Sequence, residues 1–298
     1  MTSISPRQLE VFAEVALHGS VRRAADNLHL SQPAASMALA QMERQLGSPV
    51  FTRERGRLSL NARGRELLPL ARELLDRHAE FGRRAAQDSH VLSGELHIGT
   101  SNTVGNYRVG ELLGAFVRAH PQVSIRLRVA NTERIAAGVL EHALDVGCVE
   151  GPVVHALLEV RPWRDDQLVV CVAPDHPLAR RRRLAAVDFA GARWVLRERG
   201  SATRAISERA LARLPPGQTV LELDQIEAIK QVVVAGLGIA CLPRIAVEDA
   251  LAAGRLKALK TPFLDLRRQL ALLLHRQKYR GELLDTFLRS LGVQERAR

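Results

Sequence analysis

The chain is poor in lysine and cysteine. Four lysines stand among 43 basic residues, so arginine carries nearly all of a formal net charge of +11. A balance of that kind follows from genome base composition as readily as from a nucleic-acid partner, so the placement of the charges says more than their sum. The three cysteines lie in "DVGCVEG", "LVVCVAP" and "GIACLP", each inside an apolar run that reads as a buried strand. With no CxxC and no cysteine–histidine metal spacing, they are expected to be core thiols. No apolar run approaches the ~18 residues of a membrane helix. The N-terminus lacks a basic stretch followed by an apolar one, so a cytoplasmic location is expected. HExxH, GxSxG and the P-loop are missing, and "GLGIA" at 236–240 lacks the third glycine of a dinucleotide fingerprint. Nothing here argues for an enzyme.

At 298 residues, 46% hydrophobic and 25% charged, the chain has room for two or three compact units. Ser5 and Pro6 start a helix, with a hydroxyl to cap free N–H groups and a proline whose missing donor costs nothing there. Leu9, Phe12, Ala13 and Ala16 follow at helical spacing. "HGS" at 18–20 ends that helix and caps a short second one. Ser31 then caps a third, "SQPAASMALAQMERQLG", closed by Gly47. Ala35, Leu39, Met42 and Leu46 form its apolar stripe. Its opposite face shows Gln32, Ser36 and Ala40, small and nearly uncharged. A helix that enters the major groove needs short side chains so that its backbone can approach base edges, with Gln able to pair with adenine.

"VFTRERGRLSLN" follows, with Arg53, Arg55 and Arg57 around a Gly56 turn. Two short strands with arginines at the tip make a wing that lies along phosphates. Helix, tight turn, helix and basic hairpin together spell a winged helix-turn-helix. The whole stretch from "RQLEVFAEV" to "NARGRELL", with its "AA…L…SQPA…S…LG" pattern, resembles the N-terminal domain of the LysR-type transcriptional regulators. The resemblance implies that Ser31, Gln32, Pro33, Ser36 and Met37 lie near bases and that Arg53, Arg55 and Arg57 hold phosphates. Met37 replaces a residue often basic in the family, and Val21 an aromatic.

Residues 62–88 read as a helix, with Leu67, Leu70, Leu74 and Phe81 close to a heptad stripe. It is too apolar to stand alone, and a second chain's helix would bury it. Beyond Ser93, strand-like runs alternate with helical ones, which predicts a mainly parallel sheet covered on both faces. The crossings between two lobes are expected near 161–166 and 262–268. The expected division is therefore a DNA-binding domain at 1–61, a linker and dimerisation helix at 62–90, and a regulatory domain at 91–298. Its lobe 1 spans 94–162 and 268–298, and lobe 2 spans 163–267. The fold class is α/β overall, with a winged helix-turn-helix and a long linker helix, and the resemblance to the LysR regulators implies that the C-terminal part is a two-lobed periplasmic-binding-protein-like (type II) domain.

In open sheets ligands bind beyond the carboxyl ends of strands. "GTSNTVGNY" occupies such a place, as do "NTE" at 131–133, "CVEGP" at 148–152 and "RERGSATRAI" at 197–206. Thr100, Ser101, Asn102, Thr103, Thr132, Ser201 and Thr203 are the candidate donors to a small oxyanion. A cap needs one hydroxyl rather than three or four, so capping alone explains these clusters less well than a ligand. Glu150 suits an anion only where the anion still carries a proton for it to accept. The combination "TSNTVGNY…NTE…EGPV" is similar to the LysR branch of the CysL and YeiE type, linked to sulfite reductase and sulfite response. That implies a sulfite-like oxyanion as co-inducer and no other cofactor or metal. The expected partners are double-stranded promoter DNA, further copies of the chain in a dimer or tetramer, and RNA polymerase. A constitutive or architectural DNA-binding protein is the alternative, and an enzyme on a binding-protein fold a more distant one.

Overall fold

The computed structural model describes residues 3–54, 57–85 and 91–293. Three helices open the chain: α1 (Pro6–His18), α2 (Val21–Asn27) and α3 (Gln32–Leu46). The serines read as caps are caps: Ser5, Ser20 and Ser31 accept from the backbone N–H groups of Gln8, Arg23 and Ala34. On α1 the deepest residues are Val11, Phe12 and Val15, so its buried face is rotated from the stripe expected through Leu9, Ala13 and Ala16. Strands β1 (Phe51–Glu54) and β2 (Arg57–Leu60) pair antiparallel as the wing. Arg55 at the wing tip lies outside the described residues.

Helix α4 (Ala62–Ala85) leaves the wing and sends Leu68 and Ala71 into the core of the DNA-binding head. Leu70, Leu74 and Phe81 of the same helix are exposed. Further along, α4 docks on the C-terminal domain. The Tyr279 hydroxyl donates to Glu80 at 2.6 Å, and the Arg77 guanidinium stands 4.1 Å over the Tyr279 ring. Nearby, Lys278 pairs with Asp145 at 2.7 Å.

The C-terminal domain runs through β3 (Gly94–Thr100), α5 (Asn102–Tyr107), α6 (Val109–Ala119), β4 (Val123–Val129), α7 (Thr132–Leu140), β5 (Val146–Glu150) and β6 (Leu158–Val172). Next come β7 (Arg193–Arg197), α8 (Ala202–Leu211), β8 (Gln218–Leu223), α9 (Ile226–Val234), β9 (Ala240–Pro243) and α10 (Arg244–Ala252). It closes with β10 (Lys257–Leu259), β11 (Arg267–His275) and α11 (Glu282–Ser290). Strands β3, β4 and β5 are parallel, as are β7 and β8. The sheet is nevertheless mixed rather than mainly parallel, because β11 runs antiparallel to both β5 and β6, and β9 and β10 run antiparallel to β6.

The crossing between lobes also lies later than the expected 162–163 boundary. Strand β6 pairs with β11 through Gln167 and with β9 from Leu168 onward. The first part of β6 is thus a lobe 1 strand. Charged residues and Pro162 break its apolar alternation, which is why "RPWRDD" reads as a connection. In the reverse direction β11 begins at Arg267. Each lobe packs its own apolar cores, around Phe116 and Phe287 in lobe 1 and around Phe189 and Trp194 in lobe 2.

Two strands run from the lobe junction to the linker. Strand β5 starts beside Asp145 and ends at Glu150, while β11 starts at Arg267 and ends at His275, three residues before Lys278. At strand rise β5 spans roughly 15 Å and β11 roughly 28 Å.

Candidate functional site

The end of β3 answers the sequence's question one residue at a time. Thr100 continues the alternation of Leu96 and Ile98 and is fully buried. Its hydroxyl lies against α5, where a Cβ on Gly105 would stand 2.7 Å from it, so only glycine permits this packing. Thr100 Oγ1 has no hydrogen-bond partner among the described residues. Ser101 is the N-cap of α5, accepting from the N–H of Val104 at 3.3 Å. Asn102 reaches the other lobe, donating to the carbonyl of Asp224 at 3.5 Å. Thr103 turns toward the junction and donates to Glu150 Oε1 at 2.5 Å.

Thr132, the first residue of α7, donates to the backbone oxygen of Glu150 at 3.5 Å. From lobe 2, Ser201 caps α8 without a side-chain hydrogen bond to it and lines a cavity of about 580 Å³ together with Thr132. Thr203, the second residue of α8, is 1% exposed.

At the centre stands a residue the sequence reading missed. Arg268, on the second position of β11, donates to Thr103 Oγ1 of lobe 1 at 3.1 Å and to Thr203 Oγ1 of lobe 2 at 2.9 Å. Its Nε and Nη2 both meet Asp166 Oδ2, at 2.7 and 2.6 Å, and its Nη1 lies 3.4 Å from Glu150 Oε1. The side chains of Arg268, Asp166 and Glu150 are 1%, 3% and 3% exposed. One guanidinium and two carboxylates therefore share a dry site of formal charge −1. Glu150 Oε2 is buried and, among the described residues, unpartnered. Such an orphaned acceptor costs free energy comparable to a lost hydrogen bond.

The lobes touch through short contacts, with the Tyr107 hydroxyl of α5 donating to Glu227 of α9, and through longer ones. The N–H of Glu133 donates to the carbonyl of Gly200 at 3.2 Å, and Asn131 Nδ2 to that of Arg199 at 3.3 Å. Gly200 has φ +83°, and a Cβ there would stand 2.4 Å from Glu133 Oε2, so glycine allows this approach. Beside it lies a second interlobe cavity of about 860 Å³, lined by Asn102, Asn131, Arg199 and Asp224 among others.

In the DNA-binding head, Ser31, Gln32, Pro33 and Ser36 form the exposed face of α3, and Met37 beside them is 70% exposed. Ala35, Leu39 and Met42 are buried on the opposite side. Arg53 and Arg57 are exposed on the wing.

Two family profiles match this arrangement. Residues 6–65 match the bacterial regulatory helix-turn-helix protein, lysR family, and residues 89–294 match the LysR substrate binding domain. The chain belongs to the LysR family of transcriptional regulators. It is 41% identical over 286 residues to the uncharacterized HTH-type transcriptional regulator YeiE of Escherichia coli K12, covering 96% of each chain. The regulatory domain of CcmR from Synechocystis, solved in complex with 2-PG, is 28% identical with a TM-score of 0.62, covering 67% of this chain and 96% of that one. A full-length OxyR variant from Pseudomonas aeruginosa shares the fold across 97% of this chain and 95% of its own, at 23% identity and a TM-score of 0.76. This LysR-family chain is thus a DNA-binding regulator with an effector-binding domain, not an enzyme.

Its cysteines are buried, and those described are free thiols. Burial pushes the Cys171 and Cys241 thiols up to about 12 and that of Cys148 well above its ordinary value. No described helix is long and apolar enough to cross a membrane.

Proposed function

We propose that this regulator is controlled by a small oxyanion, with sulfite or a related sulfur oxyanion as the leading class, bound where the two lobes meet. The observation that carries this reading is the Arg268 guanidinium held between Thr103 and Thr203, one hydroxyl from each lobe. Arginine and paired hydroxyls form a donor set suited to an oxyanion. An ion seated there touches both lobes at once, so it favours one lobe angle over another through differential affinity. The likeness to YeiE over nearly the whole chain supports the choice of branch. Among the expected site residues, Thr103, Thr203 and Glu150 are assigned to the ion directly. Thr132, Ser201 and Asn102 line its approach, and Ser101 and Thr100 support α5 from below.

The lobe angle reaches the DNA-binding heads through β5 and β11, whose far ends carry the Asp145–Lys278 pair and lead to Tyr279 against α4. The exposed stripe Leu70, Leu74 and Phe81 is assigned to a second copy of the chain, giving a dimer and, through the regulatory domains, a tetramer. Paired α3 helices then enter successive major grooves of promoter DNA in the cytoplasm, and RNA polymerase is the onward partner.

Titration calorimetry of the full-length protein with sulfite, sulfate, thiosulfate, phosphate and small organic acids tests this reading, repeated with Thr103→Val. Selective binding to one class, lost in the variant, is the expected result. No binding by any of them would leave a constitutive DNA-binding protein.

A further inference from the structure

The exposed face of α3 carries no charge. Between Ser31 and Gln41 there is no Asp, Glu, Lys or Arg, although Gln32, Pro33, Ser36, Met37, Ala40 and Gln41 are all exposed. Met37 stands in the middle of that face at 70% exposure. Among the described residues of the DNA-binding head it is the only exposed large apolar side chain. Pro33 lies one turn before it and Ala40 one turn after, neighbours at about 5–6 Å between Cβ atoms. Small groups thus surround an unbranched thioether that reaches past them into solvent.

Positive charge lies beside this face rather than on it. Arg22 and Arg23 open α2, which precedes α3 by a tight turn, and Arg53 and Arg57 lie on the wing. All four are exposed, and none has an ion pair to a described residue. Arginines placed for phosphates next to an uncharged helix face are the charge arrangement that duplex DNA complements, so DNA is the occupant that covers Met37.

What suits Met37 in the groove follows from what each base shows there. Adenine, guanine and cytosine present polar donors and acceptors, whereas thymine adds an apolar group, its C5 methyl. Methionine has no hydrogen to donate, and its sulfur is a weak acceptor. Against a polar edge it strips water and returns no hydrogen bond, which penalises those bases. Against a thymine methyl it buries apolar surface on both partners.

We propose that Met37 reads the C5 methyl of a thymine in each half-site and is a specificity-determining residue of this head. The proposal rests on the placement of α3 in the major groove given above. The contact is to a methyl group rather than to thymine as a whole. A 5-methylcytosine carries the same group at the same place in the groove, so Met37 accepts it where it disfavours unmodified cytosine.

The test starts from the duplex that the full-length protein selects from a random pool. Each thymine of that duplex is replaced in turn by deoxyuridine, which deletes the methyl and leaves the hydrogen-bonding edge intact. Fluorescence anisotropy titrations should find a thymine in each half-site at which wild-type affinity falls about fourfold, the worth of one buried methyl. At that position Met37→Ser should bind the thymine and deoxyuridine duplexes within about 1.5-fold of each other, while Met37→Leu keeps most of the difference. At any other methyl-sensitive position, such as one that faces Pro33, Met37→Ser should keep the wild-type loss. With cytosine at the Met37 position, methylation of its C5 should raise wild-type affinity about fourfold and leave that of Met37→Ser unchanged. The deoxyuridine scan of the wild type needs no variant, so a protein that fails to fold does not decide the matter. A wild type indifferent to every deoxyuridine, or a Met37→Ser protein with an unchanged pattern, overturns the proposal and leaves α3 in the groove. A wild type that selects no sequence from the pool overturns the groove placement as well.

Discussion

Arg268 and Asp166, on adjacent hinge strands, share two short contacts between guanidinium nitrogens and a single carboxylate oxygen, at 2.7 and 2.6 Å, with almost no solvent on either side chain. The pair sits where β6 and β11 carry the chain between lobes, so the strongest electrostatic contact of the junction is part of the hinge. A buried pair is costly to break because the survivor remains desolvated. Arg268→Met should therefore lower unfolding stability by about 3–5 kcal/mol in urea denaturation. Adding Asp166→Asn and Glu150→Gln should restore most of that loss. A single variant within about 0.5 kcal/mol of the wild type would contradict this account of the hinge.

The DNA-binding face separates into two kinds of contact. Arg53→Ala should weaken binding to all sequences and reduce the slope of log affinity against log salt by about 1. Gln32→Ala should instead cost about 1–3 kcal/mol on the preferred sequence and little elsewhere, which binding curves on a specific and a scrambled duplex measure. Equal losses on both duplexes for Gln32→Ala would remove its assignment to a base.

Acid stability should carry the mark of His142. Burial, then neighbouring His275, Lys278 and Arg72, push its pKa down to about 3, against an ordinary value of 6.5. The folded chain thus keeps this ring neutral while the unfolded chain protonates it. Stability is lost as pH falls through 6.5 toward 3, and no more is lost below that. His142 has φ +55°, a conformation that asparagine tolerates. Urea midpoints for His142→Asn should fall less than those of the wild type between about pH 7 and about pH 5, by roughly 1 kcal/mol. Parallel curves would show that another group carries the acid loss.

Tyr279 offers a way to separate binding from response. Tyr279→Ala removes the ring under Arg77 and the hydroxyl on Glu80, far from the ion. Calorimetric affinity for sulfite should stay within about twofold, while the effect of sulfite on DNA affinity shrinks by about 0.5–1 kcal/mol, the worth of one cation–π contact. An unchanged DNA response would free the linker contact from any role in coupling.

The head of the molecule was legible in the sequence because its signals are local: Ser5, Ser20 and Ser31 each lie three residues from the N–H they cap. The clusters beyond β3, β5 and β7 were legible for the same reason, since strand ends in an open sheet converge. Arg268 was not, because its partners Thr103, Glu150, Asp166 and Thr203 lie 65 to 165 residues away. Its surroundings at 262–268 read as a crossing between the lobes, and β11 was not recognised as a strand. Thr100 shows a signal that was present and unused. Leu96, Ile98 and Thr100 alternate onto one face, and that parity alone turns the Thr100 side chain toward the core and away from the cleft.

The central claim is that one small anion at the lobe junction resets the spacing of the DNA-binding heads. DNA fragments selected from a random pool by the full-length protein, footprinted with and without saturating sulfite, measure that spacing directly. The protected segment should change in length or position by about half to one helical turn, roughly 5 to 10 base pairs, and Thr203→Val protein should show no change at the same sulfite concentration. Identical footprints for the wild type with and without bound ion would contradict the account.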